Sequence, residues 1–375
     1  MKILIGGDLV LTESYEVSNI SDNLRDLFRE SDLNIINLEA PVTESDLALK
    51  KTGPHLKANI DSTAKALKYL EIDLVTLANN HILDYDEQGV EDTLSFCSTN
   101  SLQTVGAGMN LEEASTVKYL DSEVGTLAIV NFAENEWSIA TKQRAGANPM
   151  DLIDNASQIK KAKHHADFVI VIVHGGNEHN LYPSPRMVKQ YRFYADCGAN
   201  IVVGHHTHCI SGFETYGKVP VFYSLGNFLF TIRRNNPESW YTGLVLSLNL
   251  KENKEIDFEI IPVRQSQEND ALIRLSGKES IDILNTISEI NKAILDPTIL
   301  EAKWMDFIKK NTPSYVKTIS PLGGIKNKYI KAFLYRSNLY KFFMHDQFIK
   351  EFINRIRCEA HYDIAREVFK SYLKE

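Results

Sequence analysis

Short apolar runs that stop abruptly at polar residues most constrain the fold of this chain. The most strongly β-branched run is 167–173, DFVIVIV, and another, 201–203, is followed by the histidine-rich segment GHHTH. Runs of this kind, separated by stretches of helical periodicity, are typical of buried strands in an α/β sheet. Gly204 is expected to let the backbone turn sharply after its strand. The sequence therefore predicts an α/β fold with polar side chains emerging where strands end.

The residues that follow five of these strands can all bind a metal ion. They are Asp8, Glu39, Asn80 with His81, His174, and His206 with His208. Because ligand sites of open α/β sheets lie beyond the carboxyl ends of the strands, we expect these side chains to converge at one edge. Taken singly, each also has an ordinary structural explanation as a helix cap, a solvated carboxylate or a core histidine. The mixture of carboxylate, amide and imidazole ligands favours Mn, Fe or Zn over Mg or Ca, and their number favours two metals.

Length and composition fit a globular protein with one large and one smaller domain. The chain has 375 residues, of which 43% are hydrophobic and 24% are charged. Its amino terminus becomes polar too soon for a signal peptide, and no apolar run approaches about 18 residues. We therefore expect a cytoplasmic protein, either free or peripheral at the membrane. The four cysteines form no C-x-x-C motif and are expected to be free thiols: Cys97, Cys197, Cys209 and Cys358.

The strand pattern ends near Arg264, and only helices are expected after it. The polar segment 265–269 separates the two predicted domains, 1–264 and 270–375. From Glu301 onward, 15 Lys and Arg outweigh 8 Asp and Glu, so the tail carries +7 while the chain as a whole carries −8. This tail either complements the acidic main body or meets an anionic polymer, lipid surface or acidic partner. Segment 329–344 does not separate its apolar and basic residues onto two helical faces, which favours packing on the main domain or a dimer contact over a membrane-surface helix.

Seven motifs together resemble those of one known family. They are GGD at 6–8, NLEAPV at 37–42, ANNHILD at 78–84, GAG at 106–108, HGGNE at 174–178, GHHTH at 204–208 and YSLGNF at 223–228. Over about residues 1–230 the chain resembles the CapA or poly-γ-glutamate capsule synthesis family, PGA_cap, within the calcineurin-like metallophosphoesterase superfamily. The resemblance implies a four-layer αββα sandwich, extended here by the helical carboxyl-terminal region, with a dinuclear metal centre at one edge of the sheets.

The resemblance also assigns roles to individual residues. It implies that the metal ligands are Asp8, Glu39, Asn80, His174, His206 and His208. It implies that His81 protonates the leaving group, and Asp84 is expected to orient the His81 ring. Substrate contacts are expected from His205, Glu178, Arg186 and Asn227. The alternatives for His205 are a third imidazole ligand or a group behind the ligands, and the alternative for Glu178 and Arg186 is an ordinary surface role.

Three positions depart from the pattern of related phosphoesterases. Val10 stands where they have a histidine two residues after the first aspartate, which removes one metal ligand. Ile82 follows the Asn-His pair in place of an acid, so Asp84 is the nearest substitute. Thr207 replaces a common proline, which should leave the flanking histidines in place.

These assignments imply a metal-dependent hydrolase of phosphate esters linked to capsule, exopolysaccharide or poly-γ-glutamate synthesis. Two cations held by one bridging carboxylate would activate water for attack on the ester. The alternative is a nonhydrolytic metal-binding accessory protein for assembly or export of an anionic surface polymer, which the missing histidine at Val10 keeps open. Expected partners are a phosphorylated or anionic polymer, a membrane-associated polymer synthesis complex and a second copy of the chain. No nucleic acid partner is expected.

Overall fold

The fold is that of a computed structural model, which describes residues 1–232, 236–319, 321–357 and 361. Its strands are β1 (Lys2–Val10), β2 (Leu33–Leu38), β3 (Leu74–Thr76), β4 (Gln103–Val105), β5 (Ala107–Gly108), β6 (Lys118–Ser122), β7 (Gly125–Ala133), β8 (Gly146–Ala147), β9 (Phe168–His174), β10 (Ile201–His205), β11 (Phe213–Tyr216), β12 (Val219–Phe222), β13 (Asn227–Phe230), β14 (Thr242–Leu250), β15 (Ile256–Gln265) and β16 (Leu272–Arg274). Its α-helices are α1 (Asp22–Arg29), α2 (Ile60–Tyr69), α3 (Asp86–Thr99), α4 (Leu111–Ala114), α5 (Leu152–His165), α6 (Pro185–Asp196), α7 (Gly277–Leu295), α8 (Pro297–Ile319), α9 (Lys328–Arg336), α10 (Tyr340–Phe343) and α11 (Asp346–Arg357).

The strands form two main sheets. In the first, the order is β16-β15-β14-β1-β2-β3-β4. Strand β13 also pairs with β1, in parallel, at the carboxyl end of β1. Strands β1 to β4 are parallel, while β14, β15 and β16 extend the sheet as antiparallel neighbours. In the second, the order is β11-β12-β10-β9-β7-β6, with β7, β9, β10 and β12 parallel. After the histidine-rich segment, β14 and β15 form a long antiparallel pair.

The two sheets pack face to face, and helices cover both outer faces. Ile5 and Ile35 of the first sheet share one buried cluster with Ile129 and Ile170 of the second. The opposite face of the first sheet packs against α1, α2 and α3, and that of the second packs against α5 and α6. Both faces of the central strands are thus buried, which explains why their sequences read as continuous apolar runs. The predicted αββα sandwich is confirmed.

Local sequence sets the helix boundaries that position the second sheet. Helix α6 begins after Ser184, whose side chain accepts the Met187 N–H, with Pro185 at the first helical position. Helix α5 begins after Asp151, whose side chain accepts two backbone N–H groups of the first turn.

The strand pattern continues past Arg264, so the expectation of helices alone after that residue is wrong. Strand β15 runs to Gln265, and Leu272–Arg274 pairs with it as β16. A three-residue edge strand is too short to show alternation of apolar and polar residues. Hydrogen bonding to the edge of β15 creates it instead.

The chain divides into two compact units, Met1–Trp304 and Met305–Glu375, and the domain boundary near 265–269 stays a prediction. Helix α7, which follows that segment, packs on the second sheet. Its Asn291 side chain accepts the Phe213 N–H at 2.7 Å, and Ile290 and Ile294 are buried in the outer cluster of that sheet. In the second unit, the basic and aromatic segment 329–344 contains most of α9 and all of α10.

Two further expectations concern the whole chain. Cys97, Cys197 and Cys209 are buried free thiols, as predicted, whereas Cys358 lies outside the described residues. Within the described ranges, no helix combines the length and the apolar composition that a membrane span requires.

Gly7 of β1 is expected to tolerate no side chain. A Cβ there would lie 2.0 Å from the carbonyl oxygen of Gly226, whose position is fixed by its hydrogen bond from the Asp8 N–H. Gly7→Ala should therefore lower the free energy of unfolding by about 3 kcal/mol or more, measured by urea denaturation. Gly6→Ala is the matched control, because its Cβ would meet only side-chain atoms, at 3.3 Å and beyond. Equal losses for the two variants would contradict this account of the β1 contact.

Candidate metal centre

The carboxyl ends of the central strands meet at one edge of the two sheets. Asp8 of β1 pairs in register with Asn37 of β2 and Asn227 of β13, and His174 of β9 pairs with His205 of β10. The register of β1 shifts on both sides of Asp8, and such irregularities re-aim side chains next to functional sites. The structure thereby brings together Asp8, Glu39, Asn80, His174, His206 and His208.

The histidine-rich segment turns in a different way from that expected. Gly204 lies inside β10, where a Cβ would lie 2.3 Å from the carbonyl oxygen of Tyr223. The glycine is therefore required by close packing, and the expectation that it makes the turn is wrong. The turn depends on His206 and His208, whose φ angles are 87° and 55°. Positive φ is costly for residues other than glycine and tends to occur at functional sites.

Asp8 has partners at both carboxylate oxygens. Oδ1 accepts a hydrogen bond from Asn37 Nδ2 at 2.7 Å and lies 3.1 Å from His205 Nδ1. Oδ2 accepts the His206 N–H at 3.2 Å. Burial raises the pKa of Asp8, but the hydrogen bond and charge of His205, with the neighbouring histidines, hold that pKa well below its ordinary value. Asp8 is therefore an ionised carboxylate at neutral pH.

Glu39 is buried beside Asp8 but accepts no hydrogen bond from the described part of the chain. Among the described residues, neither of its carboxyl oxygens has a hydrogen-bond partner. Its Oε1 lies 3.4 Å from His174 Nε2 and 3.7 Å from His208 Nε2. Burial, followed by the charge of Asp8, raises the pKa of Glu39 well above its ordinary value. A carboxylate in such a position is unfavourable unless a proton or a cation neutralises it.

Glu39 belongs to two sets of side chains that could each hold a metal ion. In each set the ligand atoms lie within 4.8 Å of one another, and the sets are Asp8, Glu39 and His208, and Glu39, His174 and His206. The amide oxygen of Asn80 adjoins the second set, 3.0 Å from His174 Nε2. Burial, followed by the charge of His206, lowers the pKa of His174 well below its ordinary value. Neutral imidazoles together with carboxylates are a donor set that suits Mn, Fe or Zn.

Asn227 and Trp240 fix the ring of His208. Asn227 Oδ1 lies 3.0 Å from His208 Nδ1, and Asn227 Nδ2 donates to the Trp240 carbonyl at 3.0 Å. The Trp240 ring lies against the imidazole with centroids 4.7 Å apart. Burial lowers the pKa of His208 to about 4, so its ring is neutral at pH 7. A proton on Nδ1 directed at Asn227 leaves Nε2, the nitrogen that faces Glu39, free to bind a metal.

His81 and Asp84 form a hydrogen-bonded pair beside Asn80. His81 Nδ1 lies 2.7 Å from Asp84 Oδ2, which also accepts the Leu56 N–H at 2.7 Å. The ammonium group of Lys51 forms an ion pair with Asp84 Oδ1 and lies 3.4 Å from His81 Nδ1. The pair thus has the geometry in which a carboxylate orients an imidazole.

The residues expected to contact substrate fall into two kinds. His205 and Asn227 are buried, and their polar atoms contact Asp8 and His208. Glu178 is exposed, yet it is near enough for its charge to raise the pKa of Glu39. Arg186 is also exposed, and its guanidinium group donates to Glu134 at 2.8 Å and to Gln190 at 2.7 Å.

Sequence reasoning missed Asn37, Lys51 and Trp240. Asn37 Nδ2 lies between Asp8 Oδ1 and His174 Nδ1, 3.3 Å from the latter, and so orients both residues. Its position two residues before Glu39 in the same apolar run was an available signal, because side chains two apart share a face of a strand. Lys51 and Trp240 lie outside the β-strands, and no sequence pattern indicated their contacts.

Two packed sheets covered by helices form a four-layer architecture, and the candidate metal cluster lies at the strand ends along one edge. Residues 2–232 match the family model described as bacterial capsule synthesis protein PGA_cap. The chain belongs to this family, which confirms the resemblance identified from the seven motifs.

Two curated relatives extend the similarity beyond the region of the family model. The chain is 32% identical over 289 residues to the PGA biosynthesis protein CapA of Bacillus subtilis (strain 168), covering 75% of this chain and 73% of that protein. It is 30% identical over 267 residues to the capsule biosynthesis protein CapA of Bacillus anthracis, covering 68% of this chain and 63% of that protein, which is less than two thirds of the relative's length.

Among solved structures, a phosphatase from Mycoplasma pneumoniae aligns with a TM-score of 0.44 and 12% identity, covering 75% of this chain and 96% of that chain.

Asn37 is expected to govern metal affinity because it orients both Asp8 and His174. Asn37→Ala should weaken Mn²⁺ binding by about 10- to 100-fold, measured by isothermal titration calorimetry. Asn34→Ala is the matched control, since Asn34 is also buried in β2 but its amide group donates to the Phe28 and Glu71 carbonyls. The control should lose stability and keep its metal affinity. An unchanged affinity in Asn37→Ala would contradict the orienting role.

Glu39 is expected to make the stability of the metal-free protein depend on pH. Because burial raises its pKa above the ordinary value of 4.5, the stability that Glu39 contributes is complete below that pH and is lost as the pH rises toward the folded-state pKa. Glu39→Gln cannot ionise. In EDTA, the free energy of unfolding of the wild type should therefore fall relative to Glu39→Gln as the pH rises above about 4.5. A difference that stays constant over this range, measured by urea denaturation, would show that Glu39 has no raised pKa.

Proposed function

We propose that this chain is a dinuclear metal-dependent hydrolase of phosphate esters that acts in the synthesis of a capsule or related anionic surface polymer. The single observation that carries the proposal is the position of Glu39. Its buried oxygens lack hydrogen-bond partners in the described chain, and it is common to two sets of ligand atoms. A bridging carboxylate between two cations would satisfy both oxygens at once.

The side chains at the edge fit two divalent cations. Asp8 and His208 would hold one cation, and Asn80, His174 and His206 would hold the other, with Glu39 shared between them. When bound, the cations would supply Lewis-acid activation of water and of the ester oxygens. The mixture of oxygen and nitrogen ligands supports Mn, Fe or Zn at these positions.

The protein would supply the proton that the leaving group requires. Asp84 Oδ2 accepts from His81 at Nδ1, so Nε2 is the ring nitrogen that can act on a substrate. A ring that carries protons on both nitrogens donates from Nε2, while the Asp84 carboxylate retains the proton on Nδ1. His81 lies next to Asn80, which places this proton transfer beside the second metal position.

A polymeric substrate is supported by the family and by the exposed residues at the edge. The family model describes capsule synthesis proteins, and the relative from Bacillus subtilis is described as a PGA biosynthesis protein. Glu178 and Arg186 are exposed and therefore available to a large substrate, whereas His205 and Asn227 are buried and position other residues. We accordingly assign substrate contact to Glu178 and Arg186.

One observation favours the second candidate, a nonhydrolytic metal-binding protein for polymer assembly or export. Val10 occupies the position at which related phosphoesterases have a histidine, and its side chain is fully buried in the core of the first sheet. The Asp8 side of the cluster therefore has one nitrogen ligand, from His208, in the described set. A weakly held cation at this position would bind an anionic polymer without activating water efficiently.

Metal content and hydrolysis measured together distinguish the two functions. Elemental analysis of the reconstituted wild type should give about two equivalents of Mn²⁺, and a phosphodiester panel should reveal turnover. Asp8→Ala and His206→Ala should lose metal and activity. His81→Ala should keep its metal while kcat falls by about 100-fold or more, because it removes only the proton donor.

His164→Ala is the control for these histidine variants, since His164 is exposed in α5. It should retain metal and activity. Full metal content in a wild type that binds an anionic polymer without turnover would establish the second function. Absence of bound metal after reconstitution would refute both.

A further inference from the structure

Lys51 is a buried lysine whose only described acidic partner belongs to the proposed catalytic pair. Its side chain is 3% exposed, and its ammonium group is paired with Asp84 Oδ1. Lys57, in the same connection between β2 and α2, shows the ordinary alternative, because it pairs with the exposed Asp46 at 2.9 Å. Burying a lysine costs several kcal/mol unless its partner is ionised and close. The burial of Lys51 therefore depends on its ion pair with Asp84, which a surface lysine would not need.

The backbone around Lys51 wraps Asp84. The Leu49 N–H donates to the Asp84 carbonyl at 2.9 Å, and the Leu56 N–H donates to Asp84 Oδ2 at 2.7 Å. Trp137 Nε1 donates to Thr52 Oγ1 at 3.2 Å and attaches the intervening residues to the segment after β7. The cation is thus held against Asp84 from a connection that is itself anchored on both sides of Lys51.

The distances specify which nitrogen of His81 carries a proton. Asp84 Oδ2 lies 2.7 Å from His81 Nδ1, and this spacing requires a proton between them. An ionised Asp84 can only accept, so the proton resides on Nδ1. Lys51 Nζ is 3.4 Å from the same nitrogen but cannot donate to it once Nδ1 carries a proton, so the ammonium group donates to Asp84 instead.

We infer that Lys51 is a positioning residue: its buried ammonium group holds Asp84 against His81 Nδ1 and so favours the Nδ1–H tautomer, with Nε2 facing the substrate. The inference rests on the proposed function for its effect on rate, but its structural content concerns only Lys51, Asp84 and His81.

The test compares Lys51→Met, Lys51→Arg and the control Lys57→Met. Lys51→Met should lower kcat by about 10- to 100-fold, while KM and metal content stay near those of the wild type. Lys51→Arg should recover much of the loss because it retains the cation. Lys57→Met removes a lysine from the same connection and should match the wild type.

Nitrogen-15 NMR of the histidine side chains reads the tautomer directly. The spectra use zinc-loaded, ¹⁵N-histidine-labelled protein at about pH 8.5, above the ordinary imidazole pKa of about 6.5, and His81→Gln assigns the resonance. The wild type and Lys51→Arg should show a protonated Nδ1, and Lys51→Met should show a shift toward protonated Nε2.

Two results would overturn the inference. One is a protonated Nε2 in the wild type, which needs no variant and therefore does not depend on whether Lys51→Met folds. The other is a Lys51→Met protein with the wild-type tautomer and kcat. If the wild type hydrolyses no ester, the proposed function fails while the NMR measurement still decides the role of Lys51.

Discussion

The unpartnered carboxyl group of Glu39 is the constraint on which the site depends. Asp8 and Glu39 are neighbours and both are fully buried, yet the Asp8 carboxylate has three hydrogen-bond partners and that of Glu39 has none among the described residues. Buried polar groups are nearly always hydrogen-bonded, and an exception requires an explanation. The contrast indicates that Asp8 is held rigidly by the protein, whereas Glu39 is left for a cation. Without one, burial and the charge of Asp8 drive Glu39 toward its neutral form.

The sandwich supplies the rigidity that such an arrangement needs. Strand β1 carries Asp8 and is flanked by β2 and β14 in the middle of the first sheet, with β13 joining at its carboxyl end. The positive φ angles of His206 and His208 directly follow β10, a strand with neighbours on both sides. Strained backbone persists only where the surrounding structure over-determines it. Placement at the ends of central strands therefore lets the protein tolerate two left-handed histidines and one unpartnered carboxyl group at a single edge.

The sequence predicted the structure best where an apolar run ended at a residue that can bind a metal. Apolar runs ending at Asp8, Glu39 and His174 predicted both the strands and the convergence of their last residues, because parallel strands place those ends at one edge. The edge strand β16 was missed because hydrogen bonding to a neighbour, not residue pattern, forms it. The turn after β10 was assigned to Gly204 because glycine is the usual residue there, whereas tight packing against Tyr223 explains it.

The sequence could not predict the contacts that loops and sheet edges make, and the reason is physical. Lys51 reaches Asp84 from 33 positions away, and Trp240 reaches His208 from 32 positions away. Neither contact follows from a local period, since each depends on how a connection lies over the finished sheets. Burial alone is also not predictable at Lys51, because lysine is almost always exposed unless it is paired. The sequence thus predicted the candidate metal ligands, but it did not predict the contacts of Lys51 and Trp240 that orient neighbouring side chains.

The replacement at Val10 makes the two halves of the cluster chemically unequal. The Asp8 set offers two carboxylates and one imidazole, while the other set offers one carboxylate, two imidazoles and the adjoining Asn80 amide. Oxygen-rich sites suit harder cations such as Mn²⁺, and imidazole-rich sites suit Zn²⁺ or Fe²⁺. Val10, on the Asp8 side, is fully buried and offers no ligand atom. The two proposed metal positions should therefore differ in metal preference and affinity, with the histidine-rich position filled first as a transition metal is added.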